Sequence, residues 1–332
     1  MRVGVICSAH GYGHVGRQLA TVEALADAGQ DVILVTAAPV DVVGDRPGVT
    51  VLRRRVDVGI AQADSVTEDP ERTRALWCEA VEGVDALVED VRGLDCAIVD
   101  VAPTALEACR RAGVPALAVG NFDWAWVYEH YPALAEFAPK MRAWQSRHVG
   151  ISLSPGPGLT GFARATPLSE PLARSVRPHR PAALAPRDAM VLVAFGGLGL
   201  ANLGDRLPRL RGVRWVLTPP QARVARKDIV YVAADEARFP ALLAAADVVY
   251  TKPGYGVLAE ATLAGVRLCW MDRGAFPEAP YLEAAMVARG DVKVVGDDVA
   301  AAIRCALASP RPSPVPSQAA RTLASAVLRR DF

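Results

Sequence analysis

The sequence predicts an α/β protein built as two Rossmann-like domains facing each other across a cleft. Three observations predict it. The chain has 332 residues, too many for one ordinary core and right for two domains of about 150 residues each. Short apolar runs alternate with amphipathic stretches along its whole length, the pattern of parallel sheets covered by helices. A glycine-marked strand-to-helix turn stands in each half, and open α/β sheets bind ligands at that strand edge.

The elements follow in order. Residues 2–7 form an apolar strand running into the loop Ser8 to His14, followed by a helix from Arg17 to Ala28. Gly29 supplies a C-cap and residues 31–36 form the next strand, which makes a right-handed βαβ unit. Residues 49–52 read as a strand, 71–91 as one helix and 95–100 as a strand ending in an acid. A helix over 104–112 closed by Gly113 and a strand over 115–119 complete this series. The stretch 166–187 holds five prolines and several arginines and reads as a linker between domains 1–165 and 188–332. The second series has strands at 190–195, 213–217, 229–232, 247–251 and 267–271, with helices at 239–246 and 257–264. A last helix, 319–329, follows a proline-rich stretch and is placed to pack back on the first domain.

Composition narrows the function classes. Hydrophobic residues make up 52% and charged residues 22%, enough to fill two cores. The net charge of +1, with Lys and Arg scattered, gives no electrostatic footprint for nucleic acid. The run Arg53-Arg54-Arg55 is the densest basic patch and suits a solvated strand end or a ligand-facing cluster. Six cysteines without a CxxC pair or a Cys/His cluster argue against structural zinc and disulfides, and fit a reducing cytoplasm. The chain opens directly on a strand, and no apolar stretch approaches 18 uninterrupted residues, so neither a signal peptide nor a membrane span is expected. Abundant Ala, Arg, Val and Pro fit a GC-rich bacterial source. The sequence sets no oligomeric state.

The first loop carries histidines at 10 and 14 and glycines at 11, 13 and 16. Such a turn often cradles a dinucleotide pyrophosphate. Here Thr36-Ala37-Ala38-Pro39 stands where the ribose-binding acid of an NAD site belongs, which argues against that cofactor. His14 suits a general base working on a hydroxyl, and equally a helix-start residue with a structural hydrogen bond. Asp100 ends a neighbouring strand at the same edge, where it either orients the imidazole or N-caps the next helix. His10, Tyr12, Asn121, Trp124 and Tyr128 are acceptor-side candidates; the aromatic segment they include serves a pocket or the core. In the second half, Lys252-Pro253-Gly254-Tyr255-Gly256 opens a helix whose amides attract a diphosphate. Gly196 and Gly197 offer a second close approach. Glu260 suits ribose hydroxyls or dipole compensation in the first helical turn, and Glu278 suits sugar hydroxyls or a solvated loop.

At these residues the chain resembles the GT-B glycosyltransferases, the class of plant-type UDP-sugar transferases and MurG-type enzymes. Gly13-His14 resembles the class's base-bearing turn, and Asp100 falls where its orienting acid lies. Lys252 to Gly256, Glu260 and the 273–278 segment resemble the donor motif. Asn121-Phe122-Asp123-Trp124 with Tyr128 is similar to a bacterial group related to the N-terminal part of plant L-arabinokinase-like proteins. The histidine and the Asp-Gln pair of the plant-type donor motif are replaced here by Lys252 and Glu278, so the sugar does not carry over. The resemblance implies an inverting, metal-independent transferase with no cofactor, a nucleotide-sugar donor (UDP-linked by preference) and a small-molecule acceptor. A UDP-sugar 2-epimerase and a non-catalytic nucleotide-sugar-binding protein are the alternatives.

Overall fold

The computed structural model describes residues 1–63, 67–196, 203–219, 221–233, 238–330 and 332. Gly197, a donor-side candidate, lies outside the described residues. The chain divides into two units. The first comprises Met1–Ala63, Glu68–Ala173 and Ser317–Phe332, and the second contains Arg174–Pro316.

In the first unit the chain runs β1 (Arg2–Cys7), α1 (Gly13–Asp27), β2 (Asp31–Thr36), α2 (Val40–Val43), β3 (Val49–Arg53), α3 (Pro70–Glu82), α4 (Val84–Val91) and β4 (Cys96–Asp100). It continues through α5 (Pro103–Ala112), β5 (Ala116–Gly120), α6 (Trp124–Glu129), α7 (Ala138–Gln145), β6 (Val149–Leu153) and β7 (Arg164–Leu168). These strands pair in parallel in the order β3-β2-β1-β4-β5-β6-β7. The direction of winding reverses between β1 and β4, which pair in register from Val3 with Cys96 to Cys7 with Asp100. A crevice opens at such a switch point because the following loops diverge to opposite faces. Buried Val, Ile and Leu run the length of β1, β2 and β4, as strands covered on both faces require.

The second unit contains β8 (Ala189–Ala194), α8 (Leu203–Arg206), β9 (Val213–Leu217), β10 (Ile229–Tyr231), α9 (Phe239–Ala245) and β11 (Val248–Thr251). After these come α10 (Tyr255–Ala264), β12 (Arg267–Trp270), α11 (Ala279–Ala288), β13 (Val292–Lys293) and α12 (Val299–Ala308). The strand order is β10-β9-β8-β11-β12-β13, with its own switch between β8 and β11. Leu192, Val249 and Leu268 pack on one face of this sheet, and Val191, Val248 and Cys269 on the other.

The structure corrects several expected boundaries. The first helix begins at Gly13 rather than Arg17, so His14 and Arg17 both stand on helical backbone. The helix expected over 71–91 is broken at Gly83 into α3 and α4. Pro70 at the start of α3, capped by the Asp69 carboxylate on Arg72 N–H at 2.9 Å, gives it a strong beginning. β7, at the sheet edge, carries little apolar signal and stays largely uncovered. Residues 166–168, read as linker, belong to β7.

The proline-rich stretch near the end is strapped down. Gly265 closes α10 at φ 64°, and a Cβ there would sit 2.6 Å from the Pro312 carbonyl oxygen. Arg311 Nε donates to the Gly265 carbonyl at 2.9 Å, and Arg267 donates to the carbonyls of Gly290 and Pro310. Beyond it, α13 (Ala319–Arg329) joins the core of the first unit. Leu323 and Val327 of α13 are buried in the same cluster as Val15, Leu19 and Val22 of α1. Ser317 Oγ at 3.2 Å and Gln318 N–H at 2.5 Å both donate to Glu170 and hold its entry.

Leu323→Ala removes a fully buried side chain from this packing. It is expected to cost the first unit about 2–5 kcal/mol. Calorimetry should show the first unit's transition moving down in temperature while that of the second stays put.

Candidate functional site

The site in the first unit is built around one carboxylate at the switch point. Asp100 ends β4 and has no solvent exposure. His14 is the second residue of α1, whose first-turn amides no side chain caps. His14 Nδ1 lies 2.8 Å from Asp100 Oδ1. A carboxylate only accepts, so Nδ1 carries the ring proton and Nε2 keeps the lone pair.

Three more bonds reach the same carboxylate from α1. Arg17 Nη2 donates to Oδ1 at 2.6 Å, its Nε to Oδ2 at 2.7 Å, and Gln18 Nε2 to Oδ2 at 2.8 Å. Residues 14, 17 and 18 are spaced i, i+3, i+4, so one helical face aims all three at Asp100. Arg17 Nη2 also lies 3.2 Å from His14 Nδ1. With that nitrogen's proton engaged by Asp100, the guanidinium donates to the carboxylate rather than to the ring. Burial would push the Asp100 carboxyl up, but Arg17 and His14 outweigh it and hold the group well below the usual carboxylate range. Asp100 is therefore ionised, its charge balanced by Arg17, and what it supplies to His14 is orientation and tautomer.

The backbone after Asp100 is strained. Val101 takes φ 47°, costly for a β-branched residue. Gly120 at the end of β5 makes room for it, since a Cβ there would come 2.2 Å from Val101 Cγ1. The turn lets α5 depart at once while Asp100 keeps its strand register. Asp100 does not cap α5; no side chain does.

The aromatic segment after β5 proves to be a scaffold for this cage. Asn121 accepts from Arg17 Nη1 and donates to the carbonyls of Leu153 at 3.2 Å and Pro155 at 2.8 Å. Asp123 caps α6 through Trp126 N–H at 2.8 Å, and its other oxygen takes Thr160 N–H at 2.8 Å. Phe122 and Trp124 stand 6.1 Å and 6.0 Å from the His14 ring, and His10 lies edge-on to Trp124 at 5.3 Å. Tyr128 is buried, with its hydroxyl donating to the Gly59 carbonyl at 2.8 Å. Tyr12, at the helix entry, is 37% exposed.

Asp57 is a member of the cage that sequence reasoning did not pick out. It follows β3 in a loop without regular structure, and only its contacts mark it. Trp124 Nε1 donates to Asp57 Oδ2 at 3.0 Å. Its Oδ1 is buried and accepts no hydrogen bond among the described residues. Burial pushes this carboxyl up to about 6, against the opposing pull of Ser8, His14 and Trp124.

The second unit places its candidates after β8, β11 and β12. Gly196 follows β8 at φ 73°, and a Cβ there would meet nothing within 4 Å. Gly254 is the N-cap of α10, without a side-chain cap, and a Cβ there would meet only Val257 Cγ1 at 3.8 Å. Tyr255 and Gly256 begin the helix, and Lys252 is half-buried just before it. Glu260 stands in the second turn, beyond the reach of first-turn dipole compensation. Burial pushes its carboxyl up to about 7, with Arg174 pulling the other way. Arg174, which sequence reasoning missed inside the expected linker, places Nη2 4.0 Å from Glu260 Oε1. Glu278 is buried rather than solvated, accepting from Arg273 Nη1 at 3.0 Å, with that guanidinium 3.7 Å from the Phe276 ring centre. Among the described residues no group of three or more His, Cys, Asp or Glu is arranged to hold a metal ion. No described helix is long and apolar enough to cross a membrane.

No protein-family profile matches the chain. It is 27% identical over 294 residues to L-arabinokinase of Arabidopsis thaliana, a match that takes in 82% of this chain and 28% of that protein. The chain thus spans little more than a quarter of this relative's length. Among solved structures, the glycotransferase of kitacinnamycin matches with a TM-score of 0.61 and 16% identity, covering 99% of this chain and 94% of that one. A UDP-glucosyltransferase from Polygonum tinctorium capable of glucosylating indoxyl matches at 0.59 and 13%, covering 99% and 92%. The glycosyltransferase SnogD from Streptomyces nogalater matches at 0.53 and 18%, covering 98% and 99%. The chain has the GT-B fold of these structures.

Arg17→Met leaves the Asp100 charge buried without its partner and is expected to cost about 3–5 kcal/mol. Adding Asp100→Asn should recover part of that loss, and denaturant unfolding of the single and double variants measures it. Asp100 is held below its ordinary value of 3.8, so its stabilisation is complete above that pH and is lost as pH falls below it. Acid titration of the double variant should accordingly show a shallower fall in stability than wild type.

Proposed function

We propose that the chain is an inverting glycosyltransferase that moves a sugar from a nucleoside-diphosphate sugar, UDP-linked by preference, to a hydroxyl of a small-molecule acceptor. The observation that carries this reading is the 2.8 Å contact between His14 Nδ1 and a buried, ionised Asp100. It fixes the tautomer in which Nε2 takes a proton.

In the proposed reaction the acceptor O–H proton passes to His14 Nε2. The acceptor oxygen bonds to the anomeric carbon as that carbon's bond to the diphosphate oxygen breaks. The electron pair leaves with the diphosphate, and the configuration inverts. Stabilising that leaving group falls to the first-turn amides of α10, with Lys252 beside them. Positive charge from these groups makes a metal unnecessary in this reading, and no cofactor enters the balance. Glu260 takes ribose hydroxyls; its buried carboxylate accepts no hydrogen bond from the described residues, a deficit that a diol repairs. Glu278 keeps one oxygen on Arg273 and offers the other to the transferred sugar. His10, Tyr12 and Asp57 surround the acceptor hydroxyl's approach to His14.

His14→Ala is expected to lower kcat by roughly 10²–10⁴-fold with the fold intact. A change of only a few-fold in a turnover assay would remove His14 from the chemistry. Product analysis without acceptor separates the alternatives, because an epimerised donor sugar would favour a 2-epimerase.

Glu260 also predicts a proton signature. Its carboxyl sits near 7, so at pH 7 it is about half protonated before ligand arrives. Ribose hydroxyls donate to the ionised form and favour it. UDP binding at pH 7 should therefore release up to about half a proton, read by calorimetry in buffers of different ionisation enthalpy. The raised value also means that Glu260 contributes stability below its ordinary value of 4.5, lost as pH rises through 7. Glu260→Gln should abolish both effects.

A further inference from the structure

Arg174 and Glu260 form an incomplete pair. Both side chains are largely buried, at 9% and 13% exposure, yet Nη2 and Oε1 stand 4.0 Å apart, beyond hydrogen-bond reach. Arg174 Nε is buried and has no hydrogen-bond partner among the described residues. Glu260 likewise accepts none among them. A guanidinium and a carboxyl group taken from water and left short of contact carry most of the desolvation cost and little of the compensating bonding. The separation fits one intervening oxygen. A hydroxyl accepting from the guanidinium at about 2.9 Å and donating to the carboxylate at about 2.7 Å spans 4.0 Å without moving either side chain.

We propose that Arg174 is a second ribose-reading residue, donating to a hydroxyl of the nucleotide whose proton goes to Glu260. The proposal rests on the donor reading given above and adds to it a residue from outside the α10 turn. A cation and an anion bracketing one oxygen satisfy both its lone pair and its proton. They therefore select a hydroxyl over hydrogen, because the analogue that lacks it leaves two charges unbridged.

The test compares UDP with 2′,3′-dideoxy-UDP by calorimetric titration of wild type, Arg174→Met and Arg174→Lys. Met keeps the apolar stem and loses the donors, while Lys keeps the charge without the planar fork. Wild type should prefer UDP by roughly 10–100-fold. Arg174→Met should reduce that preference to a few-fold while changing dideoxy-UDP affinity by less than about three-fold, and Arg174→Lys should recover only part of it. Equal weakening of both ligands, or undiminished discrimination in Arg174→Met, overturns the proposal and leaves the donor reading intact. If Arg174→Met fails to fold, Arg174→Lys decides: a partial loss of discrimination supports the proposal and undiminished wild-type discrimination overturns it. A wild-type protein that binds neither UDP nor its dideoxy analogue overturns the donor reading itself.

Discussion

A single buried carboxylate organises the first unit. Asp100 sits where β4 ends and the winding direction changes, and it gathers His14, Arg17 and Gln18 from α1. An ionised group with no solvent exposure is tolerated only if nearly every lone pair is used and its charge is matched. That demand fixes the rotation of α1 about its axis, since positions 14, 17 and 18 must face β4 together. It also reaches outward, because Arg17 bonds Asn121 and Asn121 bonds the loop after β6. Strain at Val101 and space at Gly120 are further consequences of holding Asp100 at this point.

The two units solve the same design problem with opposite electrostatics. In the first, both oxygens of Asp100 are engaged by His14, Arg17 and Gln18, and the orientation of the imidazole is set in advance. In the second, Glu260 and Arg174 stand apart, and the helix start at Gly254 has neither a side-chain cap nor a close neighbour. Preorganisation suits a group that must move a proton, because reorientation would add to the barrier. Incomplete pairing suits a group that must recognise a ligand, because the ligand's own polar atoms then restore lost bonds.

Much of this architecture was legible in the residues. Strands of continuous Val, Ile and Leu, with glycines after the first strand of each half, marked the strand edge in both halves, and the acid at 100 announced itself by ending an apolar run; the strand order and its switch points did not show in the sequence. What escaped detection had no local signal. Arg17 and Gln18 carry no motif, and with the helix read as starting at Arg17 rather than Gly13 their spacing from His14 marked no shared face. Asp57 lies in an irregular loop and meets Trp124 across 67 positions, a distance that periodicity cannot bridge. Arg174 was hidden in a stretch whose prolines suggested a spacer. The cluster Asn121 to Trp124 was conspicuous by composition, yet composition does not tell a side chain that lines a cavity from one that braces its wall. Its amide and carboxylate turn out to tie loops together, and its indole anchors Asp57.

The return of α13 to the first unit carries a consequence for how the chain is made. Synthesis proceeds from the N-terminus, and domains generally fold as units as they emerge. Every residue of the second unit's sheet is present before Leu323 and Val327 leave the ribosome, whereas the first unit must wait for them to cover Leu19 and Val22. The unit that starts first therefore finishes last. Until then Leu19 and Val22 of α1 lack the apolar cover that Leu323 and Val327 provide in the finished fold.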